Sequence, residues 1–347
     1  MKIIIEDSSC MKIFPKCLLV LLMMLIPGCT SANGNLPTDL PVPSTITPIV
    51  IQPTNTPIPD QTPVILFYSD PDSEESLKGI IDTTLQNISD QNSMVLEFRT
   101  DINNLNLPEN LFALVILSEM ENLTGLDEIS SDIKVIRIGS TGGNIDNAQQ
   151  VHIGINENGL AIEGFIAGYI AAMQTEEWRI GMIGLTSNNT NQVGFINGVK
   201  YFCGLCSPIF PPYEAYPLYT QVNDGSEFVE LKIAADLLLQ KAVNTIYLAP
   251  GVNNPELKNY LSQMGIKMIG NGEADDVGDG YWIATVRWDW NPVIEEVLPK
   301  AILGDFSGNG APDILVGNVN DISPSRLVLV SELIEYLTEG IVDPIGK

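Results

Sequence analysis

Basic side chains are scarce. The chain carries 17 Lys and Arg against 43 Asp and Glu, for a formal net charge of −26, and no Lys/Arg cluster occurs along it. So negative a surface repels phosphate backbones and has no cations with which to release their counterions, which argues against nucleic acid as a partner. The acidity is spread along the sequence and so reads as a solubility feature rather than as a ligand signal. Histidine is reduced to one residue, His152. Without a G-x-S-x-G turn beside it there is no Ser-His hydrolase, and no Walker-type phosphate loop is present. Acidic pairs are too frequent to single out a general acid and base. The expectation is a non-enzyme with no cofactor.

Cysteine is sparse too, with five in 347 residues. Residues 11–29 read MKIFPKCLLVLLMMLIPGC. The apolar run 18–26 is too short for a permanent membrane span but has the length of a signal-peptide core, preceded by Lys12 and Lys16. Ile26, Pro27, Gly28 and Cys29 then resemble a lipobox, in which a small residue precedes the cysteine that receives diacylglycerol. Residues 1–28 are thus read as a signal peptide and Cys29 as the lipidation site, tethering the protein to the extracytoplasmic face of a cell membrane. The alternative is an ordinary cleaved signal peptide. Glu6 and Asp7 suit a signal poorly, so Met11 competes with Met1 as the start.

Cys10 and Cys17 lie upstream of the cut, which leaves Cys203 and Cys206 in YFCGLCSP. Outside the cytoplasm such a pair closes into a disulfide or stays as spare thiols. A redox role is disfavoured because the pair follows a helix instead of starting one. A zinc site is disfavoured because two more ligands are needed and one histidine exists, so no metal is expected.

Residues 30–63 are dense in Pro and Thr. This composition favours an extended, semi-rigid linker, completing a segment 29–63 that cannot bury enough surface to fold alone. About 285 residues remain, enough for two α/β lobes. From residue 64 short apolar runs alternate with amphipathic stretches. Strands are expected at 64–68, 94–98, 112–117, 133–139, 151–155, 179–185 and 245–249. Helices are expected at 74–88, 159–173, 191–202, 226–241 and 254–264, with Asn254–Pro255 and Asn291–Pro292 as helix-start signals. Such alternation implies parallel sheets with helices on both faces, where ligands sit beyond the carboxyl ends of the strands.

The segment EGFIAGYIAAMQTEEWRIGMIGL, 163–185, resembles the basic membrane protein family of substrate-binding lipoproteins. Phe165, Ala167, Gly168, Tyr169, Ala171 and Ala172, then Gly181 and Gly184, carry the likeness. VGFINGVKYF continues it, and GDFSGN (304–309) and SELIEYLTEGIVDP (331–344) resemble the family's closing segments. The resemblance implies a type I periplasmic binding protein fold: two Rossmann-like lobes with parallel sheets, joined by a three-segment hinge. It places lobe one at 64–155 with 285–316, and lobe two at 156–284 with 317–347. It further implies a nucleoside-like small-molecule ligand and an ABC transporter permease as partner.

The same comparison marks departures. Relatives carry an Asn-Asp pair and an aromatic in the first loop, where this chain has Ser69, Asp70, Pro71, Asp72 and Ser73. An aspartate of relatives falls on Gly272, flanked by Asn271 and Glu273, and a lysine falls on Trp288, beside Arg287. The candidate ligand-binding residues are Ser69, Asp70, Asp72, Ser73, Ser118, Ser140, Asn188, Gly251, Asn253, Asn271, Glu273, Arg287 and Trp288. Most have a plainer alternative. Ser73 can cap the following helix, and Asp72 can favour its positive end. Asn254 is explained by capping, and Tyr169 by packing. Trp288 and Trp290 either stack on a planar ligand or pack in the core. His152, within a strand, reads as a core residue.

Overall fold

The computed structural model describes residues 62–69, 73, 75–100, 107–117, 132–140, 150–204, 207–274, 277–278, 280–319 and 322–346. Residues 1–28, read as a signal peptide, Cys29 and nearly all of the expected linker lie outside the described residues, as do Asp70, Asp72, Ser118 and Cys206.

The described residues form two six-stranded sheets. The first runs in the order β11-β5-β4-β3-β1-β2 and is built from β1 (Val64–Ser69), β2 (Val95–Arg99), β3 (Leu111–Leu117), β4 (Lys134–Ser140), β5 (Gln150–Ile155) and β11 (Gly308–Gly310). All its pairings are parallel. Every residue of β1 is buried, as expected of a central strand covered on both faces. Helix α1 (Glu75–Asn92) covers one side with Leu77, Ile81, Leu85 and Ile88, a stripe at helical spacing. Helix α6 (Trp290–Leu303) joins the same core through Ile294, Leu298 and Ile302.

The second sheet has the order β12-β10-β9-β8-β6-β7. Its strands are β6 (Ile180–Leu185), β7 (Leu218–Val222), β8 (Thr245–Leu248), β9 (Lys267–Gly270), β10 (Trp282–Asp289) and β12 (Asp313–Gly317). Only the β10–β12 pairing among these is antiparallel. Helices α2 (Glu157–Gln174), α3 (Asn189–Cys203), α4 (Phe228–Leu239), α5 (Pro255–Gln263) and α7 (Pro324–Thr338) belong with it. The chain crosses between sheets after β5, between β10 and α6, and between β11 and β12. Two lobes and three crossings are therefore present, as the sequence led us to expect.

The crossings correct the expected lobe boundaries. Residues 285–289 and 313–316 do not belong to lobe one, because Thr285–Asp289 of β10 pair with Asp313–Gly317 of β12 in the second sheet. Lobe one receives α6 and β11 only. The expected start of α6 also moves: Asp289 is the N-cap and accepts from the Asn291 N–H at 3.3 Å, so Asn291 and Pro292 lie inside the first turn. At α5 the expected cap holds, with Asn254 Oδ1 accepting from Leu257 N at 3.0 Å and Pro255 next.

The small residues of 163–173 do more than bring α2 close to its sheet. Gly164 and Gly168 of α2, and Gly194 and Gly198 of α3, face backbone of the opposite helix. A Cβ on any of the four would lie 2.0–2.2 Å from a carbonyl oxygen across the interface. The helices touch backbone to backbone, which only glycine permits.

Candidate functional site

In each sheet the strand order reverses beside one strand: β1, between β2 and β3, and β6, between β7 and β8. Ligands of open α/β sheets bind beyond the carboxyl ends at such switch points. The ends of β1, β6 and β8 and the loops after them are those from which the sequence drew Ser69, Ser73, Asn188, Gly251 and Asn253.

In lobe one Ser69 ends β1 and is 5% exposed. With Lys78, Phe98, Arg99 and Thr100 it lines a groove of about 500 Å³. Ser73 turns back to the sheet and donates from Oγ to Leu117 O at 3.4 Å. Ser140 closes β4 opposite Ile155 of β5. His152 sits in β5 between Arg137 of β4 and Asn309 of β11, a position inside the sheet.

Lobe two brings more of the expected residues together. Gly272 follows β9, and a Cβ there would meet Asn253 Nδ2 at 1.8 Å, so the Asn253 amide occupies the space a side chain would take. The Gly272 carbonyl accepts from Thr285 Oγ1 at 3.0 Å. That hydroxyl itself accepts from Trp282 Nε1 at 3.0 Å and from Asn318 Nδ2 at 2.9 Å. Beside Gly272, Asn271 holds its Oδ1 buried with no partner. On the other side the Glu273 carboxylate pairs with Arg287. The Glu273 carbonyl accepts from Lys258 Nζ at 3.0 Å. The result is a wall of amides and one hydroxyl flanked by a salt bridge, suited to a ligand bearing several hydrogen-bonding groups.

Three expected residues are committed to local structure. Asn188 caps α3, its side chain accepting from Asn191 N at 3.2 Å. Gly251 has φ +85°, and a Cβ would sit 2.4 Å from Leu185 Cδ1, so its backbone and the close packing both require glycine. Trp288 turns its indole toward α2: a Cβ on Gly159 would touch the ring at 3.4 Å, and Nε1 donates to Glu163 Oε2 at 2.9 Å. It packs half-buried against the lobe-two core, and Trp290 packs against that of lobe one. Core and hinge packing describe both tryptophans here.

Sequence reading missed Thr285 and Asn318 in this wall. It also missed a polar cluster behind it. Glu163, 2% exposed, meets Trp288, while Asn191 donates from Nδ2 to Leu160 O at 3.2 Å and to the Tyr247 hydroxyl at 3.3 Å. A lone acid within the apolar helix 159–173 was the available signal for Glu163. Cys203, the last residue of α3, is disulfide-bonded. Among the described residues no group of three or more His, Cys, Asp or Glu gathers as a metal site. Nor is any described helix long and apolar enough to cross a membrane.

No protein-family model matches the sequence, and no curated protein matches it. Solved structures do match in shape. A transcriptional activator of the comK gene from Bacillus halodurans superposes with a TM-score of 0.60 at 14% identity, covering 80% of this chain and 98% of that one. An ABC transporter solute-binding protein from Aeropyrum pernix gives 0.59 at 14% identity over 81% and 94%. A carbohydrate transporter solute-binding protein from Agrobacterium radiobacter, in complex with D-arabinose, gives 0.52 at 16% identity over 78% and 99%. The fold is that of type I periplasmic binding proteins and LacI-like regulators.

Proposed function

We propose that this chain is an extracytoplasmic solute-binding lipoprotein, anchored through Cys29, that captures a small polar molecule between its lobes for an ABC transporter permease. The observation that carries the reading is the amide wall after β8 and β9, where Asn271 Oδ1 is a buried acceptor with no protein donor. Buried polar atoms are nearly always paired, and beyond the carboxyl end of a parallel strand a ligand is a natural partner. Solute-binding proteins among the structural neighbours support a binding role. The lipobox and the Pro/Thr-rich linker support a tether that leaves both lobes free to close.

For the ligand we infer a nucleoside-like molecule, on the resemblance of 163–185 and the closing segments to the basic membrane protein family. A thermal-shift screen of nucleosides, sugars and amino acids tests this. Ligand at a hundredfold excess over Kd stabilises by about 2.7 kcal/mol. A shift with nucleosides supports the reading, and a screen in which none shifts the melt sinks the nucleoside version. Asp70→Ala and Asp72→Ala should abolish the shift.

A second reading, a ligand sensor or surface structural lipoprotein with a diverged pocket, is favoured by Gly272 and Trp288. At the first, Asn253 fills the place of the relatives' aspartate; at the second, the indole faces α2. A response to sugars alone, or to nothing, favours it.

A further inference from the structure

Glu163 lies in the second turn of α2, just after the first crossing; Trp288 lies at the end of β10, just before the second. The indole N–H donates to Glu163 Oε2, and Oε1 is buried with no partner. Asn191 is fully buried, and its Oδ1 has no partner either. Both orphans are acceptors when Glu163 is ionised, and both belong to one cluster around Tyr247. A protonated carboxyl, unlike a carboxylate, carries a donor of its own and could satisfy both orphans at once.

Among the described residues no cation acts on Glu163 to keep it a carboxylate. Trp288 of β10 bonds Glu163, Tyr247 of β8 lies within its electrostatic reach, and Asn191 of α3 bonds that tyrosine, all neutral groups. Arg287, next to Trp288, points to the other face of β10 and pairs with Glu273. From α7, Arg326 bonds Gln174 at the far end of α2, and Glu332 acts on Tyr169. Burial accordingly pushes the Glu163 carboxyl up to about 8, against the opposing pull of the Trp288 N–H.

We propose that Glu163 is a protonated positioning residue, whose hydroxyl closes onto Asn191 Oδ1 while its other oxygen holds the Trp288 indole against α2 between two crossings. Ionisation leaves a buried anion that only water can relieve, and water reaches it by moving the indole off Gly159. Trp288 would then release the start of the second crossing, so hinge stiffness falls as pH rises. Any consequence for ligand affinity rests on the solute-binding reading; the proton and the indole do not.

The test follows the indole ¹⁵N–¹H resonances of the four tryptophans in the full chain, from about pH 4 to 10. Trp288→Phe identifies the resonance by its loss. We expect it to shift with a midpoint near 8 and, in Glu163→Gln, to stay at its acid position throughout. A flat response in the unmodified chain, or a midpoint in the ordinary carboxylate range, overturns the proposal. Should Glu163→Gln fail to fold, infrared spectroscopy of the unmodified chain decides. A protonated-carboxyl band at neutral pH that disappears with the same midpoint supports the proposal, and its absence defeats it. Neither measurement contains a ligand, so a failed solute screen and a failed titration are separate results.

Discussion

A methyl group built on Gly164 would lie 2.0 Å from the carbonyl oxygen of Asn191, on the facing helix. The obstacle is backbone, which no side-chain rotation can clear. Gly164→Ala should therefore lower stability by about 1–3 kcal/mol or more, as overpacking does. The same holds for Gly198→Ala, which meets Phe165 O at 2.0 Å. Urea melts should show an earlier midpoint with an unchanged slope. Gly79→Ala in α1, whose methyl meets nothing within 4 Å, should instead stabilise by about 0.5–1 kcal/mol. Similar losses at all three positions would contradict the helix interface.

Asn188 and Asn254 each accept from a backbone N–H three residues on. Replacement of either by Ala should cost about 1 kcal/mol, and replacement by Asp or Ser should recover most of it. If Asn188→Ala leaves stability unchanged, its side chain is spent elsewhere than on the cap.

Asn271 carries a desolvation cost that no protein contact repays. Asn271→Leu should be neutral or stabilising in a melt and should weaken whatever solute the screen identifies. The Glu273–Arg287 pair differs, being 53% and 38% exposed. Glu273→Gln should change stability by less than about 1 kcal/mol, because exposed pairs contribute little.

Glu163 fixes a pH dependence whose sign can be worked out. Its carboxyl rises from an ordinary 4.5 to about 8 on folding, so between those values the native state binds more protons than the unfolded chain. Stability then falls as pH rises through that window, and this loss is complete above about 8. Glu163→Gln should flatten the decline, seen as a difference between the two proteins' melting temperatures that widens from pH 5 to 9.

Elements with a strong local pattern were legible in the sequence. The apolar run that opens β1, the stripe of α1 and the Asn254–Pro255 start of α5 were each read within a few residues of their place. The lobe boundaries were not, because which sheet β10 and β12 join is set by pairing partners distant in sequence. In the amide wall, Asn253, Asn271 and Glu273 were picked out in loops after strands, and Arg287 only through the family resemblance beside Trp288. Thr285 and Asn318 escaped, since a threonine within a strand and an asparagine after one look like ordinary surface. Trp288 was noticed for its rarity, yet its orientation depends on Glu163, more than a hundred residues earlier.

The three crossings bear on the order in which this protein can be assembled as it is made. Strand β5 stays an open edge until β11, some 150 residues later, arrives to pair with it. Helix α6 completes the core of the first sheet equally late. No N-terminal fragment ending before residue 310 holds a finished first lobe, so a growing chain stays incompletely packed until that residue has been made. On the proposed lipoprotein reading that delay is an asset: a translocation channel that threads unfolded polypeptide would meet a substrate that has not yet closed on itself.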